Sequence, residues 1–176
     1  MEGRHTMDVM DAILKRRSIR DFEDKPIEKE KLERVLEAGR QAPSAGNAQP
    51  WKIVVVTDAK TRKKLVQAAN GQAFVGEAPA VLVGCAAKTD KVMSCGQRAY
   101  PIDVAICMTT MSLAAMGEGL GTCWIGAFKE DAVKELLGIP DDVRVVELMP
   151  IGYPTSQPGA RTRMPMDDFA VFEKWS

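Results

Sequence analysis

The chain has 176 residues, 45% of them apolar and 27% charged, with 24 basic side chains balancing 24 acidic ones. This length points to one domain, and a net charge of zero supplies no whole-molecule field to hold a nucleic-acid backbone or an anionic membrane. The single histidine, His5, excludes His-based metal clusters, Ser-His-Asp triads and Cys-His dyads together. Enzymatic chemistry in this chain has to come from other side chains or from a cofactor.

Residues 1–6 read as a disordered or cloning-derived lead-in before Met7, which leaves 7–176 as one domain. No charged-then-apolar leader suggests secretion. Residues 8–15 carry Val9, Met10, Ile13 and Leu14 as an amphipathic helix with Asp8 as its cap. Over 28–41, Leu32, Val35, Leu36 and Gly39 follow helical spacing with charges opposite, and the helix should stop before Pro43. The β-branched run 52–57 predicts a strand, 61–69 a helix, and the apolar run 80–86 a second buried strand.

Fourteen consecutive residues, 104–117, carry no charge. They are too few for the ~20 that a bilayer span needs. A helix apolar all round is buried on all sides, and in a chain this short a subunit interface is the economical place for it. Residues 122–125 then predict a strand, 129–137 a helix ended by Gly138 and Pro140, and 144–150 the last strand. The tail is broken by Pro154, Pro158 and Pro165 and ends in Phe169, Val171, Phe172 and Trp175, so it should pack on its own body or on a partner. The alternation suggests an α/β-type layer domain. Cys85, Cys95, Cys107 and Cys123 show no Cys-x-x-Cys spacing and read as free thiols of a reducing compartment.

Four segments carry potential chemistry. In Lys15-Arg16-Arg17-Ser18-Ile19-Arg20, four of six residues are basic. Cations at a helix C-terminus often do no more than meet its dipole, but arginine forks also match phosphate oxygens, and Ser18 adds a directional donor. The uncharged stretch Pro43-Ser44-Ala45-Gly46-Asn47-Ala48-Gln49-Pro50-Trp51 is either an ordinary turn or an amide-bearing strip suited to a heterocycle edge, with Trp51 as a core anchor. The glycines around Trp124, Ile125 and Gly126 follow a helix and precede a strand, the wrong context for a dinucleotide fingerprint. They serve either close packing or the approach of backbone N–H groups to a flat ligand. Arg161 and Arg163 are ordinarily solvated residues, unless the tail folds back to share one anion with the first cluster.

These segments (ILKRRSIRDF, QAPSAGNAQPWKIVVV, YPIDVAICMTTMSLAAMGEGLGTCWIGAF, LGIP, PIGYP and RTRMP) together resemble the FMN-dependent nitroreductase family over 7–175. The resemblance implies an α+β three-layer fold: a central mixed sheet flanked by helices, with the long apolar helix buried at a homodimer interface. It implies FMN bound between subunits and NAD(P)H as electron donor. Arg16, Arg17, Ser18 and Arg20 resemble the first FMN segment, with Arg16 and Ser18 on phosphate and ribityl and Arg20 on the pyrimidine edge. Pro43, Ser44, Ala45 and Asn47 resemble the strip given by the other subunit. Trp124, Ile125 and Gly126 resemble the segment under the isoalloxazine, with a backbone N–H near N5. Arg161 and Arg163 resemble returning phosphate contacts, and Gln72 a flavin-edge residue.

The implied activity is a cytoplasmic oxidoreductase passing hydride from NAD(P)H through FMN to nitroaromatic, quinone or similar acceptors by a ping-pong mechanism. No protein acid or base is assigned a catalytic role, and neither a metal, a nucleic acid nor a membrane is expected. Reductive dehalogenation or flavin fragmentation on the same fold is an alternative, as is a non-catalytic nucleotide- or anion-binding dimer. The segment 88–101, with Cys95, Arg98 and Tyr100, is short beside larger relatives that carry a lid there.

Overall fold

A computed structural model describes residues 7–175; the lead-in expected over 1–6, with His5, lies outside the described residues. Helix α1 (Val9–Lys15) starts where the Asp8 carboxylate accepts from the Met10 and Asp11 N–H groups, at 2.8 and 3.4 Å. Helix α2 (Lys29–Arg40) leads through a 3₁₀ turn at Ala45–Asn47 into strand β1 (Trp51–Val56). Helix α3 (Ala59–Ala68) is capped by Asp58, which accepts from Thr61 N–H at 2.7 Å. The short helix α4 (Phe74–Glu77) precedes strand β2 (Ala80–Ala86). Helix α5 (Ala99–Gly117), strand β3 (Gly121–Thr122), helix α6 (Glu130–Leu137), strand β4 (Arg144–Gly152) and helix α7 (Met166–Phe169) complete the chain.

The strands form one sheet in the order β1-β2-β4-β3, and every pair of named strands is antiparallel. Its mixed character comes from a single parallel bridge, Ser18 to Thr122. Side chains alternate across β2, which is buried on both faces. Leu82 joins Val35 of α2, Met108 and Met111 of α5, and Met149 of β4 on one face. Val81 and Val83 join Leu65 of α3, Val133 of α6 and Leu148 of β4 on the other. The result is three layers, with the sheet between α2/α5 and α3/α6. At Gly39 the α2 backbone presses on α5 so closely that a Cβ would lie 2.6 Å from Met111 Cγ.

Helix α5 begins five residues before the uncharged run and takes in Asp103, which is buried. By length and composition it could cross a membrane, and half of it is buried within the fold. The exposed half is apolar: Pro101, Ile102, Ala105, Ile106, Thr109 and Thr110 line a groove of about 510 Å³. The apolar face of helix α1 is not covered within one chain. Val9, Met10, Ile13 and Leu14 are exposed, and only Ala12 is covered. The tail residues Phe169, Phe172 and Trp175 face outward, so within one chain the tail does not pack on its own body.

Candidate functional site

After α1 the chain does not leave the body. It runs beside β3, where Ile19 N–H donates to the Thr122 carbonyl at 2.9 Å and Ser18 bridges Thr122. This lays the basic cluster along the edge of the sheet. From below, α5 is tied to the same point by a 2.9 Å hydrogen bond between the buried hydroxyls of Ser112 and Thr122. Arg16, Ser18, Thr109, Ser112, Thr122 and Trp124, floored by Met149, enclose a cavity of about 270 Å³. Thr109 also lines the apolar groove of α5, so cavity and groove adjoin at this residue.

The electrostatics of this edge are one-sided. Among the described residues, neither Arg16 nor Arg20 has an ion-pair partner, although the chain as a whole is neutral. Arg20 lies 5.9 Å from the Phe74 ring centroid. Burial pushes the Cys123 thiol up, while Arg20 and Arg16 pull the other way, so both cations act on the segment just beneath the cavity. Unpaired guanidinium groups beside a Ser hydroxyl constitute an anion site. Arg17 is oriented differently: its guanidinium donates to the Leu14 and Arg16 carbonyls at 2.7 and 2.9 Å, closing the end of α1.

Trp124 stands half-exposed on the cavity, and Ile125 is buried, exchanging backbone hydrogen bonds with Leu148 at 2.9 and 3.1 Å. At Gly126 a Cβ would meet nothing within 4 Å. The backbone there borders open space, as a flat ligand requires. Gln72 is close by, since its amide donates to the Ala69 and Ala127 carbonyls at 3.0 and 3.2 Å. The strand expected over 122–125 is shorter, with regular pairing at Gly121–Thr122 and an isolated bridge at Ile125.

The strip containing Pro43, Ser44, Ala45 and Asn47 lies elsewhere, against the start of α5. Ala45 N–H donates to Asp103 Oδ1 at 2.9 Å, Gln49 N–H to Ser44 Oγ at 3.0 Å, and Lys91 Nζ to the Ala45 carbonyl. Gly46, Asn47 and Gln49 have φ of 59°, 53° and 45°, a cluster of left-handed conformations that costs energy at the two non-glycines. Asp103 and Thr109 are six residues apart on α5, about 9 Å along its axis. One chain therefore presents strip and cavity side by side, not merged. Arg161 and Arg163 are exposed in the tail, where Arg163 donates only to the Thr162 carbonyl at 3.4 Å, and the chain does not bring them to the cavity.

The segment 88–101 is a small closed turn, with Met93 N–H donating to the Gln97 carbonyl at 2.8 Å and Cys95 exposed. Sequence reasoning missed Thr109, Ser112 and Thr122 as cavity residues. Their signal was the only polar cluster within an otherwise apolar α5, facing a Thr in the glycine-rich run.

The arrangement fits a flat, anionic ligand: unpaired Arg16 with the Ser18 hydroxyl for the anion, unpaired Arg20 close by, and bare backbone at Gly126. Comparison with known proteins agrees. The Nitroreductase family profile matches residues 13–153. NADH dehydrogenase of Thermus thermophilus is 33% identical, over 92% of this chain and 94% of the relative. The 5,6-dimethylbenzimidazole synthase of Rhodospirillum rubrum is 30% identical, over 85% of this chain and 84% of the relative. The structure of the NADPH:FMN oxidoreductase from Vibrio harveyi in complex with NAD+ superimposes with a TM-score of 0.87 at 30% identity, over 96% of this chain and 78% of that one. With the three-layer fold and the arginine-flanked cavity, these matches show that the chain belongs to the nitroreductase family.

Proposed function

We propose that the chain, as one domain over 7–176, is a cytoplasmic FMN-dependent oxidoreductase that takes hydride from NAD(P)H and passes it to small nitroaromatic, quinone or similar acceptors. The observation that carries this reading is the cavity that unpaired Arg16 lines with Ser18 and Trp124, with unpaired Arg20 two residues beyond Ser18 and open backbone at Gly126 two residues beyond Trp124. When bound there, FMN supplies the hydride-carrying chemistry, so the chain needs no acid or base of its own. Arg16 and Ser18 hold the phosphate and ribityl, with Arg17 bracing the end of α1. Arg20 and Gln72 meet the flavin edge, and an arginine at that edge stabilises negative charge on the reduced form. Trp124, Ile125 and Gly126 would support the ring from beneath, with a backbone N–H of this segment near N5.

The active unit in this reading is a homodimer. A cavity of about 270 Å³ is below the ~300–1,000 Å³ of sites that enclose a ligand of this size. The adjoining groove on α5, the bare face of α1 and the outward aromatics of the tail form apolar surface of the kind that marks an interface. A second copy seated on α5 covers these residues. It delivers its own Pro43, Ser44, Ala45 and Asn47 to the cavity and brings Arg161 and Arg163 to the phosphate.

Donor and acceptor use the same open site in turn, which predicts ping-pong kinetics. The test is stepwise. Anaerobic NAD(P)H should bleach the FMN-loaded protein, and a nitroaromatic or quinone added afterwards should restore its colour. Absence of bleaching by either nicotinamide refutes the reading. Flavin fragmentation on the same fold is the second reading, and it predicts loss of flavin with turnover where the first predicts its recovery.

A further inference from the structure

Glu147 lies in the middle of β4 with no exposed surface, and neither of its carboxyl oxygens has a hydrogen-bond partner. The strand register explains where it points. Glu147 pairs with Gly84, but Cys85 pairs with Val145, so Val146 is an extra residue in β4. Such a bulge re-aims the side chains beside it. Residues directly opposite in an antiparallel pair share a face. On the face of Gly84, a Cβ would lie 3.0 Å from Met108 Sδ and 3.1 Å from Val104 Cγ1, so the acid faces α5.

On the other side of β4, one residue beyond the Ile125–Leu148 pair lie Gly126 and Glu147. By register Glu147 therefore lies between two residues without side chains, Gly84 and Gly126, and Gly126 borders open space two residues after the cavity residue Trp124. Met149, two residues along the same strand, is part of the cavity floor. Glu147 thus stands one row of side chains behind that floor.

The groups around it hold no countercharge. Of the thiols nearest to it, Cys107 on α5 donates to the Gly39 carbonyl at 3.3 Å and Cys123 lies in the segment after β3; an ionised Glu147 would push both thiols up. Arg20 and Arg16 act on Cys123 from the cavity side. From β2, Gly84 offers nothing, and Cys85 belongs to the opposite core. Asp103, one turn before Cys107, gives one oxygen to Ala45 N–H. Burial alone disfavours the carboxylate and pushes Glu147 up to about 9.

We propose that Glu147 is a positioning residue for flavin reduction, keeping its proton behind Gly126 so that no fixed negative charge opposes the one arriving on the ring. The role rests on the flavin reading above. Hydride transfer moves two electrons and one proton from the nicotinamide to flavin N5; NAD(P)H is oxidised, FMN is reduced, and the flavin gains one negative charge. An ionised carboxylate nearby in a low-dielectric interior opposes that charge. Reduction of the flavin and retention of the Glu147 proton are therefore coupled, with each favouring the other.

The experiment compares the FMN-loaded wild-type protein with Glu147→Gln and Glu147→Asp. The equilibrium between bound oxidised and reduced flavin is followed against a reference dye from about pH 6 to pH 10, and the infrared carboxylic-acid band is recorded without FMN. Expected is a protonated-acid band at neutral pH that Glu147→Gln removes. Wild-type and Glu147→Gln reduction equilibria should coincide near pH 6 and separate by at least about tenfold near pH 10, with wild type harder to reduce. Glu147→Asp should restore the separation. Parallel curves at every pH, with FMN bound, overturn the role of Glu147 and leave the flavin reading intact. A protein that takes up no FMN but shows the band overturns the flavin reading, and this role with it.

Discussion

The hydroxyls of Ser112 on α5 and Thr122 on β3 are joined by a 2.9 Å hydrogen bond in the floor of the cavity, both of them buried. The bond links the apolar helix α5 to the strand that carries the basic segment. Removing one hydroxyl strands the other away from water. Ser112→Ala should cost ~1–3 kcal/mol, whereas Ser112→Ala with Thr122→Val should cost less than the two single changes added. Urea unfolding of the four variants, with unchanged slopes, measures both quantities.

Gly121 sets how closely the basic segment lies on the sheet. A Cβ there would be 2.4 Å from Ile19 Cγ1 and 2.9 Å from Ile19 Cβ, and Ile19 is buried between Ser18 and Arg20. Gly121→Ala should displace this segment, lowering stability by ~1–3 kcal/mol and weakening FMN retention by at least about tenfold, a loss of about 1.4 kcal/mol in binding. Ala added at Gly126, where the Cβ position is open, should cost little stability in the flavin-free protein. Thermal unfolding with and without FMN separates the two effects.

Arg20 and Arg163 have different duties in this account. Arg20→Ala should slow reduction of the bound flavin by NAD(P)H by at least about tenfold, or ~1.4 kcal/mol of barrier, while FMN stays bound. Arg163→Ala should loosen FMN and leave the reduction rate of the loaded protein near wild type. Stopped-flow reduction and FMN titration decide the assignment, and equal loosening by both changes contradicts it.

The buried acid gives a stability signature of its own. Its value rises from 4.5 to about 9 on folding, so between those limits the folded chain holds a proton that the unfolded chain has released. Stability therefore falls as pH rises through this window, by at most ~1.4 kcal/mol per pH unit, and is free of this penalty below it. Glu147→Gln should unfold at higher denaturant than wild type at pH 8, and the gap should close near pH 5. A gap that is constant with pH contradicts a protonated Glu147.

Much of this architecture was legible from local pattern. The charge-free run announced α5, the β-branched run announced β1, the apolar run 80–86 announced β2, and Asp8 announced the start of α1. Helix α4 was not legible, because four residues cannot display a helical period. What covers the apolar face of α1 was not legible for a different reason. Amphipathicity reports that a face needs cover, not whether the same chain provides it. Arg16, Ser18 and Trp124 were identified as site residues, but their meeting point depends on the Ser18–Thr122 bridge, which pairs residues far apart in sequence. Glu147 was hidden inside an apolar strand run. Its only signal was an acid between Val146 and Leu148, and its direction was set by a bulge that no local pattern encodes.

FMN in the cavity beside Arg16 would give the purified protein a flavin absorption band in the visible spectrum. The account predicts a yellow protein that releases one FMN per chain on denaturation and takes it up again on refolding, with uptake weakened in Arg16→Ala. A colourless wild-type protein that stays colourless after incubation with excess FMN would contradict it.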